Sequence, residues 1–224
     1  MECVRRTARR IGRLAFGLAV GLALTAIVLD AAASERRYPN LFGSQETRFD
    51  VLKPFTQWTG VLERFVGEQP MMEAVCKPDP YVTCGMQHWK RFLDETKSKP
   101  RRAKIDAVNT YFNEIRYVPD PVNWKVPDYW NTPSQFFSKQ GDCEDYAIAK
   151  YLSLKALGFK AEDMRIVVVQ DLNLKLGHAV LVVYEGDVIL LLDNQTKDVI
   201  DAQRVRHYKP EYSINEQFWW RHRQ

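Results

Sequence analysis

Residues 141–194 read GDCEDYAIAKYLSLKALGFKAEDMRIVVVQDLNLKLGHAVLVVYEGDVILLLDN. The period of the apolar residues changes partway along. Ala147, Ile148, Tyr151, Leu152 and Leu154 recur at helical spacing, with Gly158 as the stop of a helix over 143–157. Three runs of strand character follow, Arg165–Gln170, His178–Tyr184 and Val188–Leu192, the last two joined at Glu185-Gly186-Asp187 by a hairpin turn. Upstream the pattern is helical again. Trp58, Val61, Leu62, Phe65 and Val66 mark a helix over Thr56–Val66, His88 to Leu93 starts another, and Ile105, Val108, Tyr111, Phe112 and Ile115 share one face of Arg102–Ile115. Residues 34–54 read as an irregular lead-in, 68–84 as a loop, and the Pro-rich 118–133 as irregular. An aromatic tail, Phe218-Trp219-Trp220, closes the chain, and its rings are expected to pack on the core. Helices first and strands afterwards predict an α+β domain with an antiparallel sheet.

The first 33 residues stand apart. Arginines at 5, 6, 9, 10 and 13 precede an apolar run from Leu14 to Leu29, and Ala31-Ala32-Ala33 offers a small-residue cleavage site before Ser34. That is the layout of a secretory signal peptide. An uncleaved anchor is the other reading, though sixteen apolar residues fall short of the ~20 that span a bilayer. Either way the remainder, 34–224, is expected to be exported as a single domain. Its charge is modest: +4 for the whole chain, less the five arginines and with Glu2 and Asp30 restored, leaves 4 − 5 + 2, or about +1. No basic run interleaved with aromatics points to nucleic acid.

An exported chain meets oxidising conditions, where spare thiols pair. Cys76 and Cys84 flank KPDPYVT, a turn-rich stretch able to bring them within bridging distance. Cys143 is then the odd cysteine, at the start of the 143–157 helix with Asp142 in the N-cap position. A helix N-terminus favours a thiolate, and the Cys143 amide faces the place where an oxyanion would form. His178 opens the apolar strand AVLVVY. Cysteine hydrolases place a thiolate on a helix start and its base on a neighbouring strand. A two-residue turn at Glu185-Gly186 would put His178 opposite Asp193, and a one-residue slip would substitute Asn194. Both strands are apolar on both faces, so pattern does not choose between them. A structural cysteine in a non-catalytic binding module is the bland alternative. For the second oxyanion donor, Gln135, Gln140 and the Trp130 indole are candidates. His88, His207 and His222 lack zinc-type spacing.

GDCEDYA at 141–147, GHAVL at 177–181, Leu192-Asp193-Asn194 and Tyr129-Trp130-Asn131-Thr132-Pro133 together resemble the bacterial transglutaminase-like cysteine peptidases over residues 100–200. The resemblance implies a papain/transglutaminase-like core with Cys143, His178 and Asp193 as a triad. It also implies a periplasmic, calcium-dependent protease of LapG type, cutting a large exported adhesin after paired alanines and sequestered by an inner-membrane cyclic-di-GMP receptor. A transglutaminase or cell-wall amidase would use the same triad. Calcium has a reason in the residues as well. Asp142, Glu144 and Asp145 crowd the thiol, and their charge opposes the thiolate unless a divalent cation offsets it. Asp142 and Glu144 are the ligands the resemblance favours, with Asp145 weaker. The plainer reading makes the three acids helix-start residues only.

Overall fold

The computed structural model describes residues 38–77 and 84–224; the signal segment expected over 1–33 lies outside them. In chain order, strand β1 (Gln45–Phe49) precedes helices α1 (Thr56–Glu68), α2 (Gly85–Thr96), α3 (Arg101–Asn113), α4 (Asp120–Asn123), α5 (Pro133–Lys139) and α6 (Cys143–Ala156). Strands β2 (Met164–Asp171), β3 (Leu176–Glu185), β4 (Val188–Leu192), β5 (Ile200–Asp201), β6 (Tyr208–Ile214) and β7 (Trp219–Arg223) complete it. They form one antiparallel sheet in the order β1-β7-β6-β2-β3-β4-β5. The expected α+β architecture is present.

β3 explains why pattern could not fix its register. Leu181 and Val183 face a core built with the helices, while Val180, Val182 and Tyr184 face a second core with Leu41, Ala202 and Val205. Neither face is solvated, so the strand is apolar throughout. α6 is likewise buried from Glu144 to Leu154, packed between α3 and the sheet. Such a helix is enclosed on all sides, rather than amphipathic as its spacing suggested.

Three sequence expectations need correction. The β3–β4 turn is Gly186-Asp187, not Glu185-Gly186, because Glu185 pairs with Val188. Gly186 has φ +63°, which glycine supplies at the first central position of a tight hairpin. The 34–54 stretch is not wholly irregular, since 45–49 is strand β1 on the sheet edge, paired with β7. Within 118–133, Asp120–Asn123 makes one short helical turn. The tail rings pack as expected: Trp219 stacks on Phe49 at 4.3 Å, and the Arg165 guanidinium sits 3.6 Å from the Trp220 ring centroid. Cys76 and Cys84 form a disulfide and Cys143 is a free thiol.

β7 also contributes His222, buried with Nδ1 2.7 Å from Ser44 Oγ and Nε2 2.9 Å from Ser213 Oγ. Burial drives its pKa down to about 4. The unfolded chain, with an ordinary histidine near 6.5, then binds the proton that the folded state refuses. This contribution to stability is complete above about pH 6.5 and is lost as pH falls towards 4, roughly 3 kcal/mol at most. Thermal melts between pH 7 and 4.5 should show the loss, and His222→Gln should flatten that slope. An unchanged slope in the variant would assign acid sensitivity elsewhere.

Candidate active site

α6 begins at a tight turn. A Cβ on Gly141 would lie 2.0 Å from Asp145 Oδ2, so only glycine admits the turn. Asp145 is held there as an acceptor: from the Asn131 amide at 2.7 Å and from the Asp142 amide at 3.2 Å. Asp142 is the N-cap, as expected, and Cys143 opens the helix.

Cys143 and His178 line one cleft of about 340 Å³, with Tyr117, Asp171, Leu174, Leu176, Gly177, Asn194 and Gln195. His178 stands on β3 opposite Val169 and is buried. Its Nε2 lies 2.9 Å from Asp193 Oδ1, which also accepts from the Gln195 amide at 2.9 Å, and Tyr208 donates to Asp193 Oδ2 at 2.6 Å. Burial opposes ionisation of Asp193, but the hydrogen bonds from His178, Tyr208 and Gln195 outweigh it and hold the carboxyl below its ordinary range. With Nε2 engaged by Asp193, Nδ1 is the nitrogen left for another partner. Asn194, the alternative orienting group, lines the cleft and leaves its Oδ1 buried without a partner.

The thiol itself is poorly disposed to ionise as it stands. Burial pushes its pKa up, the Glu144 charge and hydrogen bond and the Asp142 charge push the same way, and only the Ala179 amide works against them. The thiol donates to Glu144 Oε2 at 3.2 Å. Burial first, and the acids after it, thus oppose the thiolate that a helix N-terminus would favour.

Those acids belong to a larger cluster. Asp120, Asp142 and Asp145 bring one oxygen each within 4.8 Å of one another, and so do Asp120, Asp128 and Glu144. Burial and then Asp142 raise Glu144 to about 10. Burial raises Asp120 to about 6 against the Tyr129 amide that it accepts. Among the described residues, Asp120 Oδ1 and Asp142 Oδ1 are buried with no hydrogen-bond donor in place, their neighbours being other carboxyls. Buried carboxylate oxygens facing one another without donors are the donor set of a hard divalent cation. Asp145 fits less well, its two oxygens being taken up by Asn131 and the helix start. Asp120 and Asp128 were not read from the sequence. Their signal was two acids in a Pro-rich stretch just ahead of GDCED, where prolines drew the reading towards loop.

Of the oxyanion candidates, Gln135 is occupied by the α5 capping box and Tyr129, and Trp130 belongs to the helix-side core. Neither they nor Gln140 line the cleft. Tyr117 does, and burial together with the charges at Cys143, Asp142 and Glu144 keeps its phenol protonated, a donor.

Residues 71–223 match the sequence profile of the family described as bacterial transglutaminase-like cysteine proteinase, BTLCP. Among solved structures, Legionella pneumophila LapG is similar at 30% identity, over 72% of this chain and 87% of that one, with a TM-score of 0.58. Its calcium-bound form aligns at 29% identity over 71% and 87%, TM-score 0.60, and its EGTA-treated form at 30% over 72% and 84%, TM-score 0.58. No curated protein matches the chain in sequence.

Proposed function

The chain belongs to the bacterial transglutaminase-like cysteine proteinases, and within that family of cysteine peptidases we propose a calcium-dependent thiol endopeptidase of the periplasm. Its substrate would be an extended segment of an exported, adhesin-type surface protein. The observation that carries the reading is the His178–Asp193 pair at 2.9 Å, buttressed by Tyr208, in the same cleft as the one free thiol among the described residues. In this mechanism His178 takes the Cys143 proton, the sulfur attacks the scissile carbonyl, and the imidazolium returns the proton to the leaving amine. Water then resolves the acyl-enzyme with His178 as base. The Cys143 amide and the Tyr117 hydroxyl are the proposed oxyanion donors.

An extended substrate suits the sheet. β4 stops at Leu192, opposite Leu181, so β3 before Leu181 has β2 on one side and, among the described residues, no strand on the other. The Ala179 amide faces Cys143, and alternate residues of a strand point their amides to the same side, so Gly177 offers its backbone there too. A peptide laid along that edge would pass the nucleophile, with the exposed Leu174 and Leu176 beside it.

The acid cluster supports calcium. Asp142, Glu144 and Asp120, with Asp128 at the open side, would hold the ion. When bound, it would supply positive charge against these carboxylates, easing ionisation of the adjacent thiol. Residues 1–33 support export, and an inner-membrane cyclic-di-GMP receptor would be the regulator if the chain works as its LapG relatives' family implies.

Hydrolysis and transamidation share the acyl-enzyme, so the test offers both acceptors. The protein is incubated with an adhesin N-terminal fragment, and separately with a glutamine donor and a labelled amine. Backbone cleavage of the fragment is expected. Amine incorporation without cleavage would replace the peptidase with a transglutaminase.

A further inference from the structure

α6 carries a second functional group that the chemistry above does not use. Lys150 lies seven residues after Cys143, about two helical turns, and is 1% exposed. Its ammonium donates to Asn109 Oδ1 at 2.8 Å and sits 5.9 Å from the Tyr146 ring centroid. Burial lowers its pKa to about 7, and Asp193 is the charge that acts in the other direction. A methionine would fill this space without desolvating a charge, so the lysine calls for a role beyond packing.

The hydrogen bonds lead from it to the cleft. An ammonium only donates, so it fixes the oxygen of Asn109 towards α6 and turns the amide nitrogen away. That nitrogen donates to the Lys197 carbonyl at 3.1 Å. One helical turn along α3, Asn113 Nδ2 donates to the carbonyls of Asp193 at 2.8 Å and Thr196 at 2.9 Å. Two amides on one helix thus hold three carbonyls of the loop 193–197. That loop begins with the residue whose carboxylate orients His178, and it has no ladder of its own between β4 and β5.

We propose that Lys150, acting through Asn109 and with Asn113, is a positioning brace that couples the nucleophile helix to the Asp193 loop and so holds His178 in line with Cys143. The inference rests on the catalytic reading of Cys143 and His178.

Iodoacetamide tests it without a known substrate. The rate of Cys143 alkylation is measured by mass in calcium-containing buffer for wild type, Lys150→Met, His178→Ala and the double variant. His178→Ala should slow the reaction, because the base is gone. Lys150→Met should slow it about tenfold or more, as a misplaced base does. In the His178→Ala background Lys150→Met should have no further effect, since it acts only through His178. Asn113 is half-buried, and Asn113→Ala should reproduce both results, which covers the case of a Lys150→Met protein that does not fold. A wild-type rate in either folded variant would overturn the brace. So would equal slowing with and without His178, the mark of a merely structural residue. If His178→Ala alone alkylates at the wild-type rate, the catalytic reading itself falls, and the brace with it.

Discussion

Replacing Cys143 by alanine should abolish cleavage of the adhesin fragment while leaving the melting temperature close to wild type. Cys143 is half-buried, and its sulfur makes only weak hydrogen bonds, donating to Glu144 and accepting from the Ala179 amide, so little of the fold depends on it. His178→Ala should also eliminate turnover, by on the order of 10³-fold or more in kcat/KM. The imidazole is buried and touches Asp193 and the Tyr208 ring, so some stability goes with it. Circular dichroism and thermal melts separate that loss from the loss of chemistry. Asp193→Asn should be milder, because an amide oxygen still accepts from Nε2. It will not be silent, since Tyr208 donates to the second oxygen and an amide nitrogen there would face that hydroxyl. Residual wild-type turnover in a folded Cys143→Ala protein would dispose of covalent catalysis by this thiol.

The helix start and the strands around His178 were legible because each obeys a local rule. An acid N-cap and an apolar period that switches from helix to strand are both written in contiguous residues. Asp193 was reached by counting from the wrong turn. In the true register His178 would face residue 195, but β4 ends at Leu192 and the freed loop brings Asp193 back to the imidazole. Hydrogen bonding from three sides, not strand pairing, selects it over Asn194. β6 and β7 escaped notice for a different reason. Pro210 falls at the register shift against β2, where a missing amide is tolerated, yet in the sequence it reads as a break. β7 alternates Trp220 and His222 inward with Arg221 and Arg223 outward, a pattern masked by the run of aromatics before it. Lys150 and Asn109 look like solvent-facing polar residues in sequence. Only the packing of α6 between α3 and the sheet makes them interior.

Chelation should stop the reaction, and calcium should restore it. The site near Cys143 presents four carboxylates, Asp120, Asp128, Asp142 and Glu144, with two buried oxygens lacking any donor. Burial suppresses the thiolate first, and the Glu144 and Asp142 charges add to it unless an ion offsets them. EGTA treatment should therefore reduce cleavage to background. Magnesium should substitute poorly, since it keeps its waters and demands a tighter octahedron than carboxylates fixed on a loop and a helix start readily give. Binding has readouts apart from turnover. Isothermal titration should find one calcium site, and at a hundredfold excess over Kd the fold should gain about 2.7 kcal/mol, visible as a higher melting temperature. Asp120→Asn removes a buried carboxylate remote in sequence from the thiol, and should weaken that calcium-dependent shift while leaving the calcium-free melt near wild type or above it, because the variant also relieves repulsion. Asp145→Asn should disturb the metal-free fold instead, since its carboxylate holds Asn131 and the α6 start. Full activity after exhaustive chelation, or a melt indifferent to calcium, would leave Asp142 and Glu144 as residues of a helix start and nothing more.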